Sequence, residues 1–340
     1  MRILTFFCTL FIALISSTFG YSQDVHYSQR LVLDRERNPT FFNHFDGKWQ
    51  VYSAYRQQWA AIGEPFVSST ANLVRKIKSG RKGLNFFAAA GFTNDQSGDV
   101  KLDMNQVALV FGAEMKTQYG TFEAALNNQW VGKSINLNGV TFPEQYDRSI
   151  GRFNEQLASG ENLPANSLSF FNFNFGLSWE KQLNPLWGLR GGFSLSNLLE
   201  PEESLFDEDN RKNRGYGLQF LGTYSGFKGK TLEPYLAYYR AKGASELVLG
   251  SALRFYALKS DLVQAIKPFL YVRSGVDRVT DALIIGSRIE LLNFDLGLSY
   301  DVNVSELELA TQNRGSFEVS LVYTLDYLKP KIRRLPCERY

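Results

Sequence analysis

Histidine is almost missing from this chain of 340 residues; only His26 and His44 occur. Both precede the first regular extended segment. That placement argues against a Ser–His–Asp or Cys–His site built on the later framework, and the two are read as ordinary polar residues. Cysteine is as scarce, with Cys8 in an N-terminal apolar run and Cys337 near the C-terminus. Once the leader is removed a single thiol remains, which leaves no internal disulfide. No C-x-x-C, H-E-x-x-H or P-loop pattern is present, so no metal, cofactor or catalytic residue is expected. Beyond residue 23 no apolar run reaches the roughly 18 residues of a membrane-spanning helix. The net charge is only +3 and no basic stripe with interleaved aromatics occurs, which removes nucleic acid as a partner.

The first residues, "MRILTFFCTLFIALISSTFGYSQ", hold one Arg, an apolar stretch from Ile3 to Ile15, then small and polar residues. This is the pattern of a cleaved export signal. Cleavage is expected after Ser22, with Gly20 the alternative. The apolar run is short for a membrane anchor. Cys8 lies inside it rather than at the cleavage site, which argues against lipidation.

What the chain has in abundance is aromatics, 27 Phe and 17 Tyr, and alternation. In "GSFEVSLVYTLDY", Phe317, Val319, Leu321, Tyr323, Leu325 and Tyr327 are large and apolar, while Glu318, Ser320, Thr324 and Asp326 between them are polar, with Val322 the exception. A period of two is a strand with one apolar and one polar face. Similar segments predict fourteen strands, near 47–62, 66–78, 82–93, 101–116, 120–131, 168–181, 186–197, 215–226, 232–241, 244–258, 265–274, 280–291, 293–303 and 314–325. Most have the length a tilted strand needs to cross a bilayer, roughly 9–11 residues. Ordinary strands are about half as long. Two segments are weak: 66–78 is rich in Ser and Lys, and Pro268 predicts a bulge or poor pairing in 265–274.

Loop lengths separate by parity. Even-numbered connections are short, as at 79–83, 117–120, 183–185 and 227–231. Every long loop, 94–100, 132–167, 198–214 and 304–313, is odd-numbered. Short periplasmic turns and long outer loops are the pattern of an outer-membrane barrel; a soluble sandwich has no reason to segregate them. Arg56, Glu123, Arg190, Arg254, Arg288 and Glu290 lie on polar faces and are expected to point into a wet lumen. Trp59, Trp130, Trp179 and Trp187 near strand ends suit the aromatic girdles. The expected fold is therefore an all-β, transmembrane, antiparallel barrel of about fourteen strands. Its expected organisation is leader 1–22, periplasmic N-terminal segment 23–46, barrel 47–327 and periplasmic tail 328–340. The segment 23–46 does not alternate, and is expected to plug the lumen or dock a periplasmic partner. The run "EPEESLFDEDNRKNR" offers Glu202, Glu203, Asp207 and Asp209 to calcium, but it lacks the spacing and turn glycine of a calcium loop. A solvated surface loop is the preferred reading. "NVS" at 303–305 fits a glycosylation sequon, a weak pattern.

Several phrases occur together in order: "QDVHYSQ" after the leader, "NP" at Asn38–Pro39, "YRQQW" at 55–59, "RFYA" at 254–257, "AIKPFLYVR" at 265–273, "YDVNVSEL" at 300–307, "GSFEVSLVY" at 315–323 and a tail ending "PCERY". The set resembles the PorP/SprF family of the type IX secretion system of Bacteroidetes. Val25 and His26 depart from the family's usual "QDPQFSQ", and Glu338 stands where a Pro usually follows the Cys. The resemblance implies a non-enzymatic outer-membrane barrel that serves export or surface anchoring of proteins with C-terminal sorting domains, gliding adhesins among them. It implies secretion components as partners on the periplasmic side, a secreted protein or adhesin on the outer side, and lipid around the wall. Tyr146, Phe153 and Phe206, apolar residues in polar loops, and Cys337 in the tail are the candidate partner contacts. The loop aromatics have an alternative role in folding the loops onto the rim, and Cys337 as an idle thiol. The competing function is a passive channel or hydrophobic-solute transporter; an outer-membrane hydrolase fares worst, for want of histidine.

Overall fold

The computed structural model describes residues 27–59, 64–98, 102–135, 143–154, 156–157, 166–204, 210–242, 244–257, 262–275, 280–304 and 314–325. The leader, the tail, Phe206, Cys337, His26, Asp207 and Asp209 lie outside them. The strands, in chain order, are β1 (Trp49–Gln58), β2 (Phe66–Lys78), β3 (Leu84–Ser97), β4 (Leu102–Thr117), β5 (Gly120–Ile135), β6 (Tyr146–Asp147), β7 (Arg152–Phe153), β8 (Ser167–Gln182), β9 (Trp187–Ser196), β10 (Gly215–Phe227), β11 (Lys230–Ala241), β12 (Ala244–Tyr256), β13 (Val263–Ser274), β14 (Thr280–Leu291), β15 (Phe294–Asn303) and β16 (Arg314–Leu325). All but β6 and β7 form one closed barrel of fourteen antiparallel strands. β1 closes the ring on β16 over its whole length, from Trp49 opposite Leu325 to Gln58 opposite Ser316. Closure pairs every strand edge, which is what lets a sheet sit in hydrocarbon. Among the described residues no helix is long and apolar enough to cross a membrane.

The predicted alternation becomes an inside and an outside. On β16, Ser316, Glu318, Ser320, Val322 and Thr324 are buried in the interior, and Phe317, Leu321 and Leu325 stand exposed on the outer wall. Val322, the apolar exception on the polar face, joins an interior cluster that also holds Tyr52 and Val74. The outer wall is apolar almost throughout: Phe111, Leu126, Phe171, Leu249, Leu270 and Ile285 are each about half exposed. A soluble monomer does not carry an apolar surface that encircles it. Trp49, Trp179 and Trp187 lie toward the short-turn ends of their strands, and Trp59 and Trp130 toward the long-loop ends.

Three local departures from the alternation have physical causes. The expected first strand, to residue 62, stops at Gln58, because Trp59 takes a left-handed φ of 58° that an extended strand cannot continue. Pro268 keeps register with Ser287 on β14, but the ladder to β12 lapses between Ala252–Phe269 and Phe255–Ile266. The irregularities on the β14 side sit at Val263/Ala265 and Arg273/Ser274, toward the two ends of the strand, so the proline costs pairing and not register. Pro234 does the same on β11, where pairing with β10 breaks between Tyr235 and Leu232. Both prolines lack the N–H that the ladder needs.

Candidate functional site

Fourteen strands enclose more space than their own side chains fill. Barrels of about 8 strands pack solid and those of about 16 leave a channel. Here the space is occupied by residues 27–46. They form α1 (Arg30–Arg37), a 3-10 turn (Pro39–Asn43) capped by Asn38, and the run into β1. Tyr27, Ser28, Gln29, Asp34, Arg35, Asn38, Thr40, Phe41, Phe42 and Asn43 are all buried. The segment is a plug, and three polar nodes hold it.

The first node lies on β1, β15 and β16. Glu318 accepts the Ser28 and Gln29 backbone N–H groups at 2.6 and 3.1 Å. Ser28 Oγ donates to Asp301 Oδ2 at 2.6 Å and accepts from Arg56. Arg56 reaches Asp301 at 3.0 Å and Glu318 at 3.3 Å, and Arg273 meets Asp301 at 3.3 Å. The Gln29 amide donates to the Glu318 carbonyl at 3.2 Å and accepts from Ser320 Oγ at 2.5 Å. Gly297 makes room, because a Cβ there would lie 2.2 Å from Gln29 Oε1. Buried charges are tolerated only when paired and hydrogen-bonded, and here each is.

The second node lies on β4, β5, β8 and β9. Arg190 pairs with Glu123, donates to Glu180 at 2.8 Å, and lies 4.6 Å over the Phe41 ring. It also meets His44 Nδ1 at 3.0 Å. Asn43 donates to Glu114 and Glu123 at 2.9 and 2.7 Å. Burial lowers the His44 pKa, the Arg190 charge lowers it further, and Glu180 opposes both. The third node lies on β10 to β14. Asp34 accepts from Tyr235 at 2.5 Å and from Arg30 at 3.2 Å, and burial raises its pKa despite Arg30. Arg30 and Lys267 share Glu233 at 3.7 and 3.3 Å; Lys267 also reaches Glu290, which Arg254 pairs. Between the nodes Asn38 donates to Leu177 O, Phe193 O and Gln219. A Cβ at Gly176 would lie 2.1 Å from Asn38 Oδ1, so glycine is required for that approach.

Of the six residues expected to line the lumen, Arg56, Glu123 and Arg190 hold the plug directly. Arg254 and Glu290 pair with each other beneath it, and Arg288 is buried with its Nε unpartnered. The phrases that carried the family resemblance meet here in space. Ser28 and Gln29, Arg56, Lys267 and Arg273, Asp301 and Glu318 come from five separate phrases and converge on the first and third nodes.

A family model described as the type IX secretion system membrane protein PorP/SprF matches residues 19–323. The chain belongs to the PorP/SprF family. It is an outer-membrane β-barrel. No curated protein matches it. Among solved structures it is similar to the monoaromatic hydrocarbon channel TodX in a deltaS2S3 mutant, at 9% identity and TM-score 0.47, over 92% of this chain and 98% of that one. It is also similar to the toluene transporter TbuX of Ralstonia pickettii, at 9% identity and TM-score 0.47, covering 87% and 93%. A Pseudomonas aeruginosa FadL homologue stands at 10% and 0.45, covering 88% and 94%.

On its outer side this PorP/SprF chain carries a two-stranded hairpin of β6 and β7 in the longest loop. Tyr146 and Phe153 face each other across it, ring centroids 5.3 Å apart and edge-on, and each is nearly half exposed. They pack on one another, so the pair is presented as a unit. Asp147 turns the hairpin: the Ser149 hydroxyl and backbone N–H both donate to it and hold its carboxylate below the usual range. In the neighbouring loop the backbones of Glu202 and Arg211 form an isolated antiparallel bridge, and Glu203 pairs with Lys133, so the Glu203 carboxylate already has a cationic partner. Among the described residues no cluster fit to hold a metal occurs. Periodicity did not mark Ser28, Gln29, Asp34, Asn38 or Asn43 as functional, since they lie outside any repeat. The available signal was polar residues in a segment too long to be a mere lead-in.

Proposed function

We propose that this barrel serves type IX secretion by protein contact, supporting export or surface anchoring of proteins with C-terminal sorting domains, gliding adhesins being one class. In this reading the N-terminal leader is cleaved, and the short-turn rim, with the C-terminal tail, meets the periplasmic machinery. The outer loops meet the secreted protein, with Tyr146 and Phe153 as contacts and Phe206 and Cys337 as further candidates. The barrel performs no chemistry of its own. The observation that carries this is the N-terminal segment: residues 27–46 lie inside the barrel and are tied to its wall at three nodes, which favours work by protein contact over passive conduction. Deleting the gene tests it. Surface display of sorting-domain proteins is expected to fall while uptake of small solutes stays unchanged; the reverse pattern would make the protein a channel.

The loop contact has its own test. Aromatic anchors at interfaces cost about 2 kcal/mol or more when truncated. Replacing both Tyr146→Ser and Phe153→Ser is expected to lower capture of the secreted partner at least about tenfold, with barrel assembly unchanged on heat-modifiability gels. Unaltered capture by an assembled double variant would remove the hairpin from the partner surface.

A further inference from the structure

The outer wall is not evenly filled. A groove of about 510 Å³ crosses β4, β5, β8 and β9 near their short-turn ends. Two register rows build it. In the first, Met115 pairs with Phe122, Phe122 with Trp179, Trp179 with Gly191 and Gly191 with Phe220. In the next, Ala113 pairs with Ala124, Ala124 with Leu177 and Leu177 with Phe193. Glycine and the two alanines leave the wall low, and the aromatics stand up on either side. A Cβ at Gly191 would meet only the Phe220 ring, at 3.7 Å, so nothing fills that floor.

The end of the groove toward the short turns is cationic. Lys181 lies on the same outer face two residues past Trp179. Arg81 and Lys82 are exposed in the β2–β3 turn, immediately before Leu84, which also lines the groove. The carboxylates at this level alternate onto the lumen side: Asn43 and Asn85 hold Glu114, and Arg190 holds Glu180. Aromatics mark the level as the membrane interface. Arg75 lies 4.7 Å over the Trp49 ring, Lys230 lies 5.1 Å over Phe255, and Trp179 donates its indole N–H to Tyr119 O. An apolar slot below, with unmatched positive charge at headgroup height above, is complementary to one molecule: an anionic glycerophospholipid.

We propose that this groove is a binding site for a single anionic phospholipid of the leaflet on the short-turn side. One acyl chain lies along Ala113, Ala124 and Gly191, and the phosphate sits at Lys181. The site is independent of the plug and of the outer loops, so it stands or falls apart from the function proposed above.

Native mass spectrometry of the full barrel tests it, after delipidation in detergent and titration with phosphatidylglycerol or phosphatidylethanolamine. The wild-type barrel is expected to retain one phosphatidylglycerol in preference to phosphatidylethanolamine. Lys181→Gln is expected to reduce that preference by about fivefold, the worth of one surface cation. Gly191→Leu, which fills the slot with a lipid-compatible side chain, is expected to reduce retention of both lipids. Leu249→Phe, which adds bulk to β12 on another part of the outer wall, is expected to change neither. Heat-modifiable migration on gels confirms that each variant is folded. Equal retention of both lipids by the wild type, undiminished retention in Gly191→Leu, or a second copy of the chain cross-linked across the groove in place of lipid would each overturn the proposal.

Discussion

Barrels lacking residues 27–46 are expected to conduct ions in planar bilayers, where the intact protein stays silent. The reason is geometric. Fourteen strands are too many for wall side chains to close the lumen, as about 8 can, and the plug supplies the missing volume. Its removal exposes Arg56, Glu123, Arg190, Asp301 and Glu318 to the lumen. There water takes over their hydrogen bonds, so the wall survives. The ladder that closes β1 onto β16 involves none of the deleted residues. Stepwise conductance from a heat-modifiable deletion variant meets the expectation. A silent, correctly assembled deletion variant would mean that something other than the N-terminal segment fills the lumen.

Glu318 is expected to be the single most damaging lumen residue to change. It accepts two successive backbone N–H groups from the plug and one arm of Arg56. Glu318→Leu removes all three partners at once. It strands the Ser28 and Gln29 amides and leaves Asp301 as the one carboxylate paired with Arg56. Removing one partner of a buried ion pair costs about 3–5 kcal/mol, and each tenfold change in an equilibrium takes about 1.4 kcal/mol. The undocked fraction of the plug should therefore rise at least about a hundredfold. Hydrogen exchange over residues 27–46 reads this directly: exchange is expected to accelerate throughout the plug and hardly at all in the strands. The double change Arg56→Met with Glu318→Leu should cost less than the sum of the two single changes, because no charge is then left unpaired. Additive costs would show that the two side chains do not act as a pair.

The barrel was legible because its constraint is local. A strand that faces lipid on one side and a wet interior on the other must alternate, residue by residue, and most of the fourteen segments do so within a ten-residue view, 66–78 and 265–274 least clearly. Loop parity added the order of the walls. Lumen-directed charges were legible for the same reason, since Arg56, Glu123 and Arg190 fall in phase on the polar faces of their strands. The residues that hold the N-terminal segment in place were not, because nothing periodic specifies them. Ser28 meets Asp301 across 273 residues of chain, and Asn38 meets Gln219 across 181. Such contacts depend on closure of the ring, a property of the whole sheet. The groove on the outer wall was hidden for a related reason: Ala113, Ala124 and Gly191 look unremarkable each in its own strand, and only the register places them side by side. Pro234 and Pro268 also show a limit of local rules, since each removes one ladder bond without shifting the strand around it.

The most direct test of this account is a site-directed spin-label scan along β16, from Phe317 to Tyr323, in reconstituted bilayers. Labels at 317, 319, 321 and 323 should collide with dissolved oxygen, which concentrates in hydrocarbon. Labels at 320 and 322 should collide with neither oxygen nor a water-soluble nickel complex, because the plug covers them, until residues 27–46 are deleted and the nickel complex gains access. Odd-numbered labels reached by the nickel complex, or even-numbered labels reached by it with the plug in place, would contradict both the membrane-facing wall and the filled lumen.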